Sequence, residues 1–190
     1  MEDFYLEEPT RERKKGAVEY INEFYKYKSD INGAGYLDKF LKEFTYEEWL
    51  ETLKKYKTIK KSEEHVPSRT YFLIRKNDDK IIGMINIRLE LNERLKNYGG
   101  NIGYSIRPTE RRKGYSKINL YLGLKICDSY NIKEVLLDAD LDNIASWKTM
   151  EALKGKRIKT WKEENGNMLV NYIIDVKEAI NTKSKIYKRK

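Results

Sequence analysis

The chain has 190 residues, of which 39% are apolar and 36% charged, a composition typical of a folded domain rather than a disordered segment. Its single cysteine, Cys127, excludes an intramolecular disulfide, and the sequence shows neither a membrane span nor a secretory signal, so we expect a cytoplasmic protein that contacts no membrane. The net charge of +9 favours anionic partners, which include phosphate-bearing cofactors and nucleic acids.

The first third of the sequence is predicted to be helical. Apolar residues recur at helical spacing from about residue 10 to residue 28, and Thr10 or a neighbour is a candidate cap. The segment 30–35, with two glycines, is predicted to be a loop. Thr45, followed three residues later by Glu48, forms a capping-box pattern that opens a helix reaching Tyr56.

A β-hairpin is predicted after Pro67. Residues 70–75 form a compact apolar strand, and the polar residues 77–79 form the turn. Residues 81–89 alternate in polarity, as expected for a strand with one buried face. The alternation predicts that one face carries Ile81, Ile85, Ile87 and Leu89, and that the other carries Asn86, Arg88 and Glu90.

The second half alternates strands with helices. Residues 91–98 are predicted to be a helical connector, which Gly99 and Gly100 end. A strand at 101–107, a helix at 117–130, a strand at 135–140, a helix at 143–153 and a hairpin of 157–162 with 168–174 follow. The helices are predicted to turn inward Ile118, Leu122 and Ile126, and then Ile144, Trp147, Met150 and Leu153.

This order predicts an α+β domain with a mixed, mostly antiparallel sheet and helices packed on it. We expect one domain at residues 1–175, which includes the N-terminal helices at about 10–58. Residues 176–190 form a basic C-terminal tail, with six basic residues against one acidic residue. The tail is interpreted as a solvated, frayed terminus, and a contact with nucleic acid or a membrane is the alternative.

The segment from Gly103 to Ser116 carries the clearest chemical signal. A strand ends at Pro108, a basic loop follows, and a helix begins near Lys117. A helix N-terminus presents unpaired N–H groups and positive potential, which together bind phosphate. Gly114 lets the backbone approach a ligand. The loop therefore predicts a diphosphate site, although an ordinary exposed basic loop remains the alternative. Neither a Walker loop nor a Rossmann fingerprint is present.

The motif Arg111-x-x-Gly114-x-Ser116 resembles the Arg/Gln-x-x-Gly-x-Gly/Ala signature of the GNAT acyltransferase superfamily, from which it departs at Ser116. The segments Val66–Phe72, Ile85–Arg88, Leu91–Asn92 and Gly99–Pro108 resemble an uncharacterised bacterial branch of predicted acetyltransferases within it, and the resemblance runs from about Val66 to Ile174. It implies a GNAT-like fold, with a splay between the two central parallel strands, and acetyl-CoA as cosubstrate.

The resemblance also implies residue roles. The backbone of Ile106 and Arg107 is expected to pair with the pantetheine arm, and Asn143 and Ser146 are expected to contact the cofactor from the other side. Asn143 is also a candidate helix cap. The diphosphate is expected to lie on the loop formed by Arg111, Arg112, Lys113, Gly114, Tyr115 and Ser116.

Catalytic residues are harder to predict. Family members often have a tyrosine where this chain has Met150, and a carboxylate where it has Asn101. The only histidine, His65, is interpreted as a surface residue. Proton transfer requires a base and an acid, for which the candidates are Glu90, Tyr104 and Tyr172, with Asp138 and Asp140 near the end of a strand. Arg88 and Asn101 are candidate substrate contacts, and no metal is expected.

We expect an N-acetyltransferase that transfers an acetyl group directly to a primary amine of a small molecule or peptide. Two alternatives remain. One is a non-catalytic acyl-CoA-binding module of the same fold, and the other is a nucleic-acid-associated protein that uses its basic tail. Nucleic acid is the less expected partner, and a homodimer through the last hairpin is an open alternative.

Overall fold

The computed structural model describes residues 3–187, with seven strands and seven α-helices. The strands are β1 (Phe4–Glu7), β2 (Ser68–Arg75), β3 (Lys80–Arg88), β4 (Ile102–Ile106), β5 (Glu134–Asp140), β6 (Lys156–Lys162) and β7 (Met168–Asp175). The helices are α1 (Lys14–Lys26), α2 (Leu37–Glu43), α3 (Tyr46–Thr58), α4 (Glu93–Asn97), α5 (Tyr115–Ser129), α6 (Ile144–Glu151) and α7 (Val176–Tyr187).

The strands form two antiparallel sheets, in the orders β1-β2-β3-β4 and β5-β7-β6. The sheets meet where Asn101, just before β4, lies against Leu136 of β5. The Asn101 N–H donates to the Leu136 carbonyl at 2.7 Å. Beyond this contact β4 and β5 share no strand pairing and diverge. The predicted α+β fold, with a splay between its central strands, is confirmed.

Helix α5 packs directly on β3 because Gly123 has no side chain at the contact. A Cβ atom there would lie 2.4 Å from Cδ1 of Ile85. The face that α5 buries consists of Asn119, Leu120, Gly123, Leu124 and Cys127. The predicted inward stripe of Ile118, Leu122 and Ile126 is therefore displaced by about one position, and these three residues are only partly buried.

The predicted alternation of β3 is interrupted by a register shift. Leu73 pairs with Gly83 and Ile74 pairs with Ile81, so Ile82 is an extra residue in β3. Such a bulge reverses the direction of the side chains on either side of it. Ile81 consequently packs with α1 and α3 on one face, whereas Ile85 packs under α5 on the other. The prediction that these two isoleucines share a face is wrong.

The N-terminal region contains two elements that the sequence did not predict. Residues 4–7 form β1, an edge strand paired with β2, and residues 37–43 form α2. Helix α1 begins at Lys14, after Arg13, rather than near Thr10. The capping box of Thr45 and Glu48 is confirmed, with both hydrogen bonds present at the start of α3.

The C-terminal segment begins as a packed helix. Val176 and Ala179, in the first turns of α7, are fully buried, so the interpretation of this part as a frayed terminus is wrong. Lys188, Arg189 and Lys190 lie outside the described residues. In α6, Met150 is buried as predicted, whereas Ile144 is 49% exposed and does not face the core. No helix within residues 3–187 is long and apolar enough to cross a membrane.

Candidate functional site

The loop before α5 ends in an open helix N-terminus. Gly114 is the N-cap residue, with a left-handed φ of 85°, and no side chain caps the helix. A Cβ atom built on Gly114 would meet no atom within 4 Å. The first N–H groups of a helix have no partner within the helix. The space in front of α5 is therefore accessible to an anion.

The three basic side chains of this loop have different surroundings. Arg111 donates from Nε to the Ile106 carbonyl at 3.1 Å and from a terminal nitrogen to Ser29 Oγ at 2.8 Å. Lys113 donates to Glu110 at 2.8 Å. Arg112 is exposed and forms no hydrogen bond or ion pair with the described residues. Arg111 and Lys113 thus shape the loop, and Arg112 is the basic side chain free to turn toward a ligand.

Glu110 holds the loop onto the first sheet. Its carboxylate is 5% exposed and accepts hydrogen bonds from Arg75 at 3.0 Å, Lys80 at 3.4 Å and Lys113 at 2.8 Å. Burial alone would raise the pKa of Glu110, but these cationic donors outweigh burial and lower the pKa to about 2. The loop is therefore fixed by a charged anchor on the side away from Gly114.

Ile106 and Arg107 differ in what their backbone can still bind. The Arg107 N–H donates to Ile82 and its carbonyl accepts from Glu110. Its guanidinium lies 2.8 Å from Glu23. In the β3–β4 ladder the N–H groups alternate in direction, so the N–H of Ile106 points away from β3, toward the splay. Of the two residues, only Ile106 retains a backbone donor on that side.

The start of α6 borders the splay. Asn143 Oδ1 accepts from the Ser146 N–H at 3.2 Å, so Asn143 acts as the helix cap. Ser116 Oγ lies 3.0 Å from Thr149 Oγ1, which joins α5 to α6. Tyr115 is buried, and its ring packs against that of Phe4 with centroids 4.8 Å apart. The Tyr115 side chain is thus part of the core, whereas Asn143 remains exposed.

The two tyrosines among the candidate acid–base residues have different surroundings. Tyr104 is in β4, and its hydroxyl donates to the Ser146 carbonyl at 3.2 Å. Burial raises the pKa of Tyr104 to about 12. The Tyr172 hydroxyl donates to Glu151 at 2.7 Å and accepts from Arg157 at 3.1 Å, beside β6. Only Tyr104 belongs to a strand of the splay.

Glu90 and His65 lie outside the splay. Glu90 follows β3, is 51% exposed at its side chain and pairs with Lys61 at 3.5 Å. His65 is exposed, as predicted, and its Nδ1 lies 3.1 Å from the Tyr56 hydroxyl. Met150, which was predicted to face inward, and Cys127 are both buried in the core. Residues 3–187 contain no group of three His, Cys, Asp or Glu side chains that could hold a metal ion.

Arg88 and Asn101 fix the closed end of the splay. Arg88 donates to the carbonyls of Gly99 and Gly100, both at 2.8 Å. Asn101 Oδ1 accepts from the Leu136 N–H at 2.9 Å, and its Nδ2 donates to the Arg88 carbonyl at 3.2 Å. Both side chains are thus engaged in joining strands, which the sequence did not indicate.

A loop between α1 and α2 covers β4 on the face opposite α5. A Cβ on Gly33, which has φ of 72°, would lie 2.2 Å from the Gly103 carbonyl oxygen, so the two backbones are in direct contact. Ser105 Oγ donates to the Asn32 carbonyl and lies 3.0 Å from the buried Tyr20 hydroxyl. Apart from the glycines themselves, no pattern in the sequence predicts this contact.

The two sheets that part beside an open helix N-terminus define an acyltransferase architecture. Residues 34–155 match the model of the acetyltransferase (GNAT) family, which is well over half of the chain. The chain therefore belongs to the GNAT acetyltransferase family and is an acyltransferase of that type. GNAT enzymes use acetyl-CoA. No curated protein matches the sequence at a significant level.

Solved structures of acetyltransferases have the same fold. Mycobacterium smegmatis RimJ in complex with CoA-disulfide has a TM-score of 0.71 at 12% identity, covering 96% of this chain and 88% of that chain. The spermidine/spermine N-acetyltransferase SpeG from Vibrio cholerae has a TM-score of 0.63 at 13% identity, covering 95% and 99%. A GNAT-family acetyltransferase from Bacillus anthracis has a TM-score of 0.59 at 15% identity, covering 93% and 98%.

Proposed function

We propose that the protein is an acetyl-CoA-dependent N-acetyltransferase that acts on a primary amine of a small molecule or peptide. The observation that carries the proposal is the uncapped, Gly114-led N-terminus of α5 beside a splay between β4 and β5. Such a helix end suits a diphosphate, and the absent Cβ of Gly114 leaves room for one.

Backbone groups would provide most of the cofactor contacts. The N–H groups at the start of α5 would bind the diphosphate, with the exposed Arg112 adding charge. The outward N–H of Ile106 would pair with the pantetheine arm, while Asn143 and Ser146 would border the arm from α6. When bound, acetyl-CoA supplies an activated acetyl group as a thioester.

Tyr104 is proposed as the acid on the cofactor side of the splay. Because burial raises its pKa to about 12, its hydroxyl stays protonated at neutral pH and can donate a hydrogen bond to a developing thiolate. Its hydroxyl is already directed toward α6 by the Ser146 carbonyl. This role would replace the one that Met150, buried in the core, cannot perform.

Calorimetric titration with acetyl-CoA and CoA tests the proposal. Gly114→Trp should abolish binding because the indole would fill the space in front of α5. Gly114→Ala is the matched control: it has the same cost of a left-handed backbone, about 1–2 kcal/mol, but a side chain too small to block a phosphate. Circular dichroism checks that both variants are folded.

The outcomes separate the competing functions. Binding by the wild-type protein that is lost only in Gly114→Trp supports the cofactor site. Binding without turnover against a panel of primary amines would support the non-catalytic acyl-CoA module instead. If the wild-type protein binds neither compound, the acetyltransferase proposal is withdrawn.

A further inference from the structure

Asp138 lies on the face of β5 away from α5, where the Gly99 N–H reaches its carboxylate beside the closed end of the splay. Along β5, Val135 and Leu137 turn into the core, whereas Leu136 and Asp138 turn to the opposite face. Asp138 is two residues beyond Leu136, the last point at which the two sheets touch. On this face α1 packs on β3 and α3 packs on β2. Asp138 is only partly buried there.

The hydrogen bonds of Asp138 leave half of its carboxylate available. Oδ2 accepts from the Gly99 N–H at 2.6 Å, which fixes the orientation of the group. No described residue donates to Oδ1, and no described cation lies within ion-pair distance. Asp138 is therefore a half-buried carboxylate in which Oδ2 accepts a hydrogen bond, whereas Oδ1 has no donor among the described residues.

The charged groups around Asp138 leave its carboxylate without an ion-pair partner in direct contact. The positive charge of Arg88 acts on Asp138, but its guanidinium donates to the carbonyls of Gly99 and Gly100 rather than to the carboxylate. Asp140, on the same strand, is exposed and accepts from Asn167 at 2.6 Å. Burial raises the pKa of Asp138, the Gly99 N–H and the positive charge of Arg88 lower it, and the charge of Asp140 raises it further. Tyr98 and Glu163 are the other titratable groups nearby. The pKa of Tyr98 is raised by burial and by the charges of Glu163, Asp138 and Asp140.

We propose that Asp138 binds the ammonium group of the acceptor through Oδ1 and accepts its proton. The proposal rests on the proposed function, and it names the acceptor class as a primary amine that arrives protonated. The cofactor would enter from the α5 face and the amine from the Asp138 face, so the two would meet in the splay. The proposed acid, Tyr104, packs on the α5 side with the core residues around Leu137.

The proton balance of this step is simple. One N–H bond of the ammonium breaks and an O–H bond forms at Asp138, which leaves a neutral amine with a free lone pair. The C–N bond then forms at the thioester carbon, and the C–S bond breaks. Tyr104 gives its hydroxyl proton to the sulfur, which leaves as a thiol, and the second amine proton restores the Tyr104 hydroxyl. Asp138 returns its proton to solvent.

The position of Asp138 distinguishes it from the other carboxylates. Glu90 is paired with Lys61 at the end of β3. Asp140 is exposed and is held by Asn167, farther from the point where the sheets join. A general base must stay deprotonated near neutral pH yet hold a proton when the amine presents one. Asp138 has the geometry for this role, since one oxygen is held by the Gly99 N–H and the other has no donor, and its raised pKa makes it a better proton acceptor than an ordinary aspartate.

The test compares Asp138→Asn with Glu134→Gln, which likewise replaces a carboxylate by an amide, at the exposed start of the same strand. With n-butylamine as the acceptor probe, Asp138→Asn should reduce kcat/KM by about 100-fold or more, as expected for loss of a general base. Glu134→Gln should change it by less than about threefold. Asp138→Glu should recover part of the activity. The affinity for CoA should stay unchanged in all three variants.

A spectroscopic measurement gives a result that does not depend on turnover. In protein labelled with an NMR-active isotope at its carboxyl carbons, the NMR resonance of the Asp138 carboxyl should titrate with a pKa above that of an ordinary aspartate. Addition of n-butylammonium to the CoA-bound protein should shift this resonance. The wild-type kcat/KM should fall as the pH decreases through this pKa, because the protonated carboxyl cannot accept a proton.

Each outcome decides the assignment. An Asp138 resonance that does not shift on addition of n-butylammonium while CoA binds, or an Asp138→Asn variant as active as Glu134→Gln, would overturn the role of Asp138 alone. Failure of the wild-type protein to bind CoA would instead refute the proposed function. Asp138→Asn can keep the Gly99 hydrogen bond through its amide oxygen, so unfolding of this variant is not expected.

Discussion

Asn101 and Leu136 join the two sheets by a pair of hydrogen bonds. The Asn101 N–H donates to the Leu136 carbonyl at 2.7 Å, and the Leu136 N–H donates to Asn101 Oδ1 at 2.9 Å. The amide oxygen of the Asn101 side chain thereby takes the place of a backbone carbonyl in strand pairing, at the position where the segment leading into β4 meets β5. Beyond it the strands part, so this side chain fixes where the proposed cofactor cleft begins.

Asn101→Ala should reduce the free energy of unfolding by about 2–3 kcal/mol. The change leaves the Leu136 N–H and the Arg88 carbonyl without their partner, and each unsatisfied buried group costs about 1–3 kcal/mol. Urea unfolding would measure the loss. The control is Asn97→Ala, since Asn97 is exposed on α4 and bonds only the Glu93 carbonyl; we expect a loss of about 0.5 kcal/mol or less there. Equal losses in the two variants would contradict the special role of Asn101.

The anchor at Glu110 predicts a pH dependence of stability. The pKa of Glu110 falls from its ordinary 4.5 to about 2 in the folded protein, which corresponds to about 3 kcal/mol. Because the folded pKa is the lower one, this contribution is complete above about pH 5 and is lost as the pH falls toward 2.

Glu110→Gln should therefore destabilise the protein by about 3 kcal/mol at pH 7, with a difference from wild type that shrinks steadily below pH 4.5. Urea unfolding at several pH values gives the measurement. Glu93→Gln removes an exposed carboxylate paired with Lys96 and should cause little change at any pH. A Glu110→Gln deficit that is independent of pH would show that the ion pairs are not its cause.

The contact between Gly33 and Gly103 predicts a strong effect of a single methyl group. Gly33→Ala must place a Cβ about where the Gly103 carbonyl lies, at 2.2 Å, in addition to adopting φ of 72°. We expect a loss of about 2–4 kcal/mol, from a left-handed backbone and a displaced loop together.

Gly166→Ala is the matched control for Gly33→Ala. Gly166 has φ of 91°, but the nearest atom to its added Cβ is Lys162 Cε at 3.8 Å. This variant should lose only about 1 kcal/mol, the cost of the backbone conformation. Thermal unfolding would compare the two, and an equal loss would mean that the loop yields without strain. CoA binding should persist in both folded variants, since the contact lies on the face opposite α5.

The sequence was sufficient for the elements whose signals are local. The capping box at Thr45 and the glycine before α5 each depend on neighbours within a few residues, and the structure contains both features. The bulge at Ile82 was missed because it depends on how β2 pairs with β3, and pairing joins residues that are distant in the sequence.

For the candidate site, the sequence located the loop and helix N-terminus that we propose bind the diphosphate, but not the partners of the side chains there. Arg107 and Arg111 both carry positive charge in the sequence, yet each bonds groups of the protein itself. Asn101 was a candidate substrate contact and instead joins the sheets. A formal charge or an amide does not indicate its partner, because the partner comes from another part of the chain.

What the sequence by itself determined is the family, the order of elements and the position of Gly114 at the helix N-terminus, since these are encoded in short patterns of polarity and backbone freedom. Only the tertiary structure decided which face of β5 carries Asp138, where the two sheets part, and which polar groups remain unengaged. Those properties arise when β4 and β5, separated by α5, come together at Asn101 and Leu136 and then diverge.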